Sequence, residues 1–282
     1  MQQQLLLVTG KGGVGKSAVS AALAIEAARR GKKVLTIGMV EKRGLAAHLG
    51  VESLSYEATE VRPGIFALGI ERPAALDEYL RIVLRVPRLS RIGPVARAFD
   101  ALASAAPGIR ETVTMGKVLF ETRTNNWDLV VADAPPSGAI GSHIRAPKTV
   151  SELVGAGKVR EQTRWMEDLM GDGARTGLVM VTLAEELPTV ETAETLRWIS
   201  GEGLIGVAEV ITNRILEPLG ARIPADLSTP IGAAAALHAG IFQEQQRWLA
   251  QLPDRGRELP YLFGVTGPVE VAERLADVLE QR

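Results

Sequence analysis

The stretch Gly10-Lys11-Gly12-Gly13-Val14-Gly15-Lys16-Ser17 decides the fold of this chain. It fits the pattern G-x-x-x-x-G-K-[ST], which is typical of loops that bind the phosphates of a nucleotide. An apolar run at residues 5–8 predicts a buried strand before it, and the alanine-rich residues 18–30 predict a helix after it. Strand, loop and helix in this order favour a phosphate-binding loop over a glycine-rich turn without a ligand.

The residues of this loop suit the binding of ATP and Mg²⁺. Glycines let the backbone bend so that successive N–H groups point at phosphate oxygens, and the helix N-terminus adds partial positive charge. Lys16 is expected to act in catalysis by reaching the β- and γ-phosphates, and the Ser17 hydroxyl is expected to ligate Mg²⁺. The predicted ATP-binding residues of the loop are Gly10, Lys11, Gly12, Gly13, Val14, Gly15, Lys16, Ser17 and Ala18.

A second apolar strand, predicted at residues 127–132, ends at the carboxylate of Asp133. An acid at this point of a phosphate-loop protein holds a metal-bound water, so Asp133 joins Ser17 as a predicted metal residue. The next loop is predicted to be a switch that senses the γ-phosphate, and its residues are Pro136, Ser137 and Gly138.

Strands and helices alternate along most of the chain. Further strands are predicted at 34–37, 65–70, 177–183 and 205–212, and further helices at 189–200, 232–252 and 269–280. This alternation predicts an α/β fold with a doubly wound, mainly parallel sheet, in a single domain over residues 1–282. Mostly helical segments at 74–124 and 147–172 predict a small helical layer inserted in that domain.

The composition excludes several kinds of site and partner. The chain has no cysteine, which excludes disulfides and any cysteine-bound metal, and its three histidines are not spaced for zinc. A net charge of −1 gives no overall basic field, so no nucleic-acid partner is predicted. Neither a signal peptide nor a membrane-spanning stretch is evident, and a cytoplasmic location is expected.

Several motifs together resemble the ArsA-like family, which includes the arsenite-pump and tail-anchored-protein-targeting ATPases. Lys11 gives the loop the deviant form of the superfamily that also includes ParA and MinD. Residues 133–138 are similar to the D-T-A-P-T-G-H switch, 181–188 to the V-T-x-P-E-E segment and 211–214 to the V-N-R motif. The motifs occur in family order between residue 5 and about residue 280, which ParA and MinD do not share.

The resemblance implies roles for three more residues. Lys11 would be catalytic, reaching across a dimer interface to neutralise transition-state charge on the partner's nucleotide, unless it is a solvated loop lysine. Asn213, followed by Arg214, would read adenine through its amide, unless it caps a strand end. The implied assembly is an ATP-dependent homodimer, or a heterodimer with a paralogue.

Departures from the family pattern weaken the predicted hydrolytic site. Val40 stands where the family has the aspartate that orients the attacking water, and Ala139 replaces the histidine that closes the switch. Glu41 is adjacent and is a candidate switch residue, although strand geometry predicts that it turns away unless the loop rearranges. Hydrolysis is therefore expected to be slow or to depend on a partner.

Two classes of function remain open at this point. One is an ATPase that handles a hydrophobic protein client or a membrane-associated partner, and residues 79–99, basic and apolar without Asp or Glu, could hold it. The same residues also fit a helical hairpin packed on the core. The other class is a nucleotide-sensing, non-hydrolysing subunit of a heteromeric complex; a ParA/MinD-like positioning ATPase is the weaker alternative.

Overall fold

A computed structural model of the chain describes residues 3–84, 108–153, 157–220 and 228–281. Its strands are β1 Leu5–Thr9, β2 Val34–Gly38, β3 Thr59–Arg62, β4 Ile65–Gly69, β5 Leu129–Asp133, β6 Thr176–Leu183, β7 Val207–Ile215 and β8 Arg257–Pro260. Its helices are α1 Lys16–Arg29, α2 Lys42–Leu49, α3 Arg72–Leu84, α4 Ile109–Arg123, α5 Ser137–Leu153, α6 Lys158–Gly171, α7 Glu186–Glu202, α8 Pro230–Leu249 and α9 Pro268–Glu280.

The strands form an eight-stranded sheet in the order β3-β4-β2-β5-β1-β6-β7-β8. Neighbouring strands are parallel except β3, which runs antiparallel to β4. β1 lies between β5 and β6, so the chain departs from it towards both edges of the sheet. Ligands of open α/β sheets bind at such a switch point, outside the carboxyl ends of the strands. The pairing of Val8 with Asp133 brings the loop after β1 and the end of β5 to this edge.

Hydrophobic cores lie on both faces of the sheet because successive strand side chains point in opposite directions. Leu6 and Val8 of β1 pack into one core together with α1, α2 and α9. Leu5 and Leu7 pack into the other core with α3, α4, α5, α6 and α7. Helices therefore cover both faces, which confirms the predicted doubly wound, mainly parallel α/β fold.

The predicted strands and helices are present, and further elements are found besides them. β3, β8 and α2 were not predicted, and β7 begins and ends later than the predicted strand at 205–212. α3, α4, α5 and α6 account for the described parts of the two helical segments, while residues 85–107, which hold most of the basic segment 79–99, lie outside the described residues. Among the helices that the structure describes, none has both the length and the apolar character of a membrane span.

Candidate nucleotide-binding site

The glycine-rich loop joins β1 to α1 in a conformation that depends on its glycines. Gly13 and Gly15 have φ values of 88° and 95°, which side chains strongly disfavour, and Gly15 caps α1. A Cβ atom on Gly10 would lie 1.9 Å from the carbonyl oxygen of Val181, and one on Gly15 would lie 2.4 Å from Nδ2 of Asn213. The loop is thus packed closely against the ends of β6 and β7.

Lys16 lies in the first turn of α1, and its ammonium is held inside the loop. Nζ donates a hydrogen bond to the carbonyl oxygen of Lys11 at 3.1 Å. Burial lowers the pKa of Lys16, although the negative charges of Asp133 and Glu191 oppose this shift. A partly buried ammonium beside loop amides is suited to bind phosphate oxygens.

Ser17 and Asp133, the two predicted metal residues, are in direct contact. The Ser17 hydroxyl donates to Oδ2 of Asp133 at 2.6 Å, and Asp133 is only 4% exposed. Burial raises the pKa of Asp133 to about 6; the Ser17 hydrogen bond and the Lys16 charge oppose the rise, and the charge of Glu41 adds to it.

These two oxygen donors fit a magnesium ion. Mg²⁺ prefers hard oxygen ligands and is held in such sites by one or two protein groups, substrate phosphates and waters. No group of three or more His, Asp or Glu side chains suited to a metal is found among the described residues. Ser17 and Asp133 would therefore hold the ion together with phosphate oxygens.

Lys11 points to a carboxylate of its own chain. Its Nζ lies 2.6 Å from Oε2 of Glu191 in α7, and the other carboxylate oxygen, Oε1, accepts a hydrogen bond from the hydroxyl of Ser137. Burial alone would raise the pKa of Glu191, but the bonds from Lys11 and Ser137 outweigh it and lower the pKa. The loop, the start of α5 and α7 thus meet at one side chain, which the sequence analysis did not single out.

The side-chain amide of Asn213 is engaged by the protein. Nδ2 donates to the carbonyl oxygen of Val14 at 2.9 Å, and Oδ1 accepts from the backbone N–H of Arg214 at 2.9 Å. Arg214 has a φ of 58°, and its side chain is exposed at the rim of the site. Adenine recognition by Asn213 and Arg214 stays a prediction; the contact to Val14 shows that Asn213 supports the loop.

A cavity of about 740 Å³ extends from the loop to the segment after β8. That volume lies in the range of ligand pockets in proteins. Besides the predicted Lys16, Ser17 and Asp133, its lining includes residues that sequence reasoning missed: His48, Pro260, Tyr261, Leu262, Val265 and Thr266. Most of these follow β8, whose short and partly charged sequence gave no signal of a strand.

The two departures from the family pattern lie at or near this cavity. Val40 is 47% exposed and lines the cavity, and Glu41 lines it as well. Oε1 of Glu41 accepts from the backbone N–H of Arg43 at 3.2 Å as the cap of α2. Because Glu41 lines the cavity and its charge acts on Asp133, it is not turned away from the site as strand geometry predicted. Ala139 is exposed in the first turn of α5, close to Pro136 and Gly138.

Comparison with known proteins identifies relatives of this chain. Residues 3–166 match the family model of the anion-transporting ATPases. The chain is 34% identical to ATPase BagA of Mycobacterium tuberculosis over 244 residues, which cover 83% of this chain and 69% of that protein. It is 28% identical to an arsenical pump-driving ATPase of Acidiphilium multivorum over 274 residues, 90% of this chain and 45% of that protein. The ATPase get3 of Schizosaccharomyces japonicus is 32% identical over 136 residues, 47% of this chain and 40% of that protein.

Proposed function

Because the chain belongs to the anion-transporting ATPase family, as its motifs predicted, we propose that it is a magnesium-dependent ATPase. The observation that carries the proposal is the hydrogen bond of 2.6 Å between Ser17 and the buried Asp133. This pair lies beside the Lys16 ammonium, at the carboxyl ends of β1 and β5. A loop that binds nucleotide phosphates requires both a metal ion and a lysine ammonium at this place.

Each group has a task in this reaction. The loop amides and Lys16 bind the phosphates and orient the γ-phosphate, while Ser17 and Asp133 hold Mg²⁺, which supplies charge neutralisation on the phosphate oxygens. Asn213, Arg214 and the segment after β8 line the same cavity as the loop, which supports the proposal that the base binds beside them. Pro136 and the first two residues of α5, Ser137 and Gly138, would respond to the γ-phosphate; the predicted switch loop thus continues into the helix.

Lys11 supports a proposal about assembly. Its side chain lies at the surface of the loop, with 35% of its area exposed, so it is accessible to a second subunit. We infer that Lys11 acts on the nucleotide of a partner, which is either a second copy of this chain or a paralogue. We also propose that the protein handles a hydrophobic protein client or a membrane-associated partner and that it does so in the cytoplasm.

A nucleotide-sensing subunit is the second candidate, and Val40 favours it. A valine side chain cannot accept a hydrogen bond from an attacking water, and Val40 lines the cavity at the place of the family's aspartate. Loss of such a group slows a reaction by orders of magnitude, at about 1.4 kcal/mol per factor of ten. Hydrolysis that is slow without a partner is consistent with both candidates.

Steady-state ATP hydrolysis and nucleotide affinity of the purified protein test the proposal. We expect turnover that requires Mg²⁺ and that Lys16→Ala abolishes together with tight ATP binding. Lys148→Ala, which removes an exposed lysine of α5, is the matched control and should behave as wild type. Tight ATP binding without turnover would support the nucleotide-sensing subunit instead, and absence of nucleotide binding would contradict both.

A further inference from the structure

Glu191 uses both oxygens of its carboxylate to join two parts of the nucleotide site. Oε2 accepts from the Lys11 ammonium of the phosphate-binding loop, and Oε1 accepts from the hydroxyl of Ser137 at the start of α5. The backbone N–H of Ser137 also donates to the carbonyl oxygen of Gly10 at 3.1 Å. The switch residues and the loop are therefore held together by one acidic side chain and one backbone hydrogen bond.

Glu191 also contributes negative charge to the phosphate-binding groups. Its field acts on Lys16 as well as on Lys11, so both lysines of the loop are attracted to the same carboxylate. An ammonium and a hydroxyl donate to phosphate oxygens as readily as to carboxylate oxygens. The Glu191 carboxylate thus accepts hydrogen bonds from groups that the terminal phosphate of ATP would also attract.

We propose that Glu191 is a switch residue whose contacts with Lys11 and Ser137 are released when ATP occupies the site and kept when ADP does. The γ-phosphate competes with the Glu191 carboxylate for Ser137 and repels it, which frees Lys11, whereas ADP, which has no γ-phosphate, leaves the contacts of Glu191 in place. This inference rests on the proposed nucleotide site, and it adds the residue that couples phosphate number to the switch.

The exposure of the contact fits a reversible exchange. The side chains of Lys11 and Glu191 are 35% and 29% exposed, and ion pairs with such access to water stabilise proteins little. A multiply charged phosphate can therefore separate the carboxylate from the lysine, and Lys11 is then available to the nucleotide of a partner subunit. The repulsion between the γ-phosphate and the Glu191 carboxylate acts only while the γ-phosphate is present.

The test is the affinity of the full chain for ADP and for the non-hydrolysable ATP analogue AMP-PNP, both with Mg²⁺. In Glu191→Gln, which keeps the shape of the side chain and removes its charge, we expect AMP-PNP to bind about two- to five-fold more tightly and ADP to change by less than that. Glu194→Gln is the matched control, since Glu194 is an exposed acid on the same helix, and both affinities should stay as in wild type.

Each result decides the inference. Selective tightening of AMP-PNP in Glu191→Gln supports it, whereas equal tightening of both nucleotides shows a general charge effect and overturns it. Unchanged or weaker AMP-PNP binding overturns it as well. If Glu191→Gln shows the selective tightening but the wild-type chain never hydrolyses ATP, the ATPase activity is refuted and the role of Glu191 is still supported. A chain that binds neither nucleotide refutes both.

Discussion

Asp133 is the acid of the site whose surroundings most alter its chemistry. It is buried at the end of β5, and burial raises its pKa to about 6 despite the hydrogen bond from Ser17 and the charge of Lys16. A carboxylate that is buried away from water in this way is stabilised when a divalent cation binds to it. The same group destabilises the fold at neutral pH without such a cation, because its charge is held away from water.

We predict that Asp133→Asn raises the free energy of unfolding near pH 7.5, without Mg²⁺ and nucleotide, by about 1 to 3 kcal/mol. In the folded state the pKa of Asp133 lies above its ordinary value of 3.8. The wild-type carboxyl therefore contributes its full stabilisation at pH values below 3.8. It is lost as the pH rises through about 6. Urea denaturation of both chains at about pH 4 and pH 7.5 checks this, with the gain expected only at the higher pH. A gain of the same size at both pH values would show that ionisation is not its cause.

At the scale of elements, the phosphate-binding loop is shaped by strands that come much later in the chain. β7 places Asn213 against Val14 and Gly15, and β6 places the carbonyl of Val181 against Gly10. The loop therefore depends on tertiary contacts as well as on the conformational freedom of its glycines.

Gly15→Ala separates these two influences. The new Cβ would meet Nδ2 of Asn213 at 2.4 Å in addition to adopting a φ of 95°. Gly31→Ala has a similar φ of 83° with nothing within 4 Å, and it is the matched control for backbone strain alone. We expect Gly31→Ala to lower the free energy of unfolding by about 1 to 2 kcal/mol, and Gly15→Ala by more, with weaker ATP binding. Equal losses measured by chemical denaturation would mean that the contact with Asn213 does not constrain the loop.

At the scale of the whole molecule, the sheet brings the loop after β1 and the end of β5 to one edge, next to α7. The described residues supply Lys16, Ser17 and Asp133 for a site within one chain, while Lys11 lies at its accessible side. Under the proposed function these two lysines have separable tasks, one towards the chain's own nucleotide and one towards the nucleotide of a partner.

Mixing two inactive variants tests this division. If Lys11 acts on the partner's nucleotide, Lys11→Ala should bind ATP without hydrolysing it, and Lys16→Ala should bind ATP poorly. Mixed dimers then contain one complete site, formed by the loop of the Lys11→Ala subunit and the Lys11 side chain of the other. An equal mixture should recover about a quarter of the wild-type rate per subunit, measured as phosphate release. Two variants that stay inactive when mixed, although each is folded, would contradict action between subunits.

Local sequence patterns were enough to predict much of the fold and part of the site. The loop and Asp133 each follow an apolar strand, so the pattern of a few neighbouring residues predicts both their conformation and their place at the sheet edge. β8, at Arg257–Pro260, has only four residues and includes two charges, and no period of hydrophobic residues marks it.

Contacts between distant residues could not be predicted in this way. Glu191 is 180 positions from Lys11 in the sequence, and only the packing of α7 beside β6 brings their side chains together. Asn213 was singled out from its motif, but its bond to the carbonyl of Val14 depends on the register of β7 with β6. Such pairs depend on the complete sheet order, which alternation of strands and helices does not specify.

The hydrogen bond from Lys16 to the carbonyl oxygen of Lys11 has a thermodynamic consequence for ligand capture. The ammonium has already lost part of its hydration shell when the chain folds, and a backbone oxygen replaces some of that water. A phosphate oxygen that binds there exchanges one acceptor for another and has less water to remove from the cation. Part of the free-energy cost of dehydrating the ammonium is therefore met when the chain folds and does not oppose binding of the nucleotide.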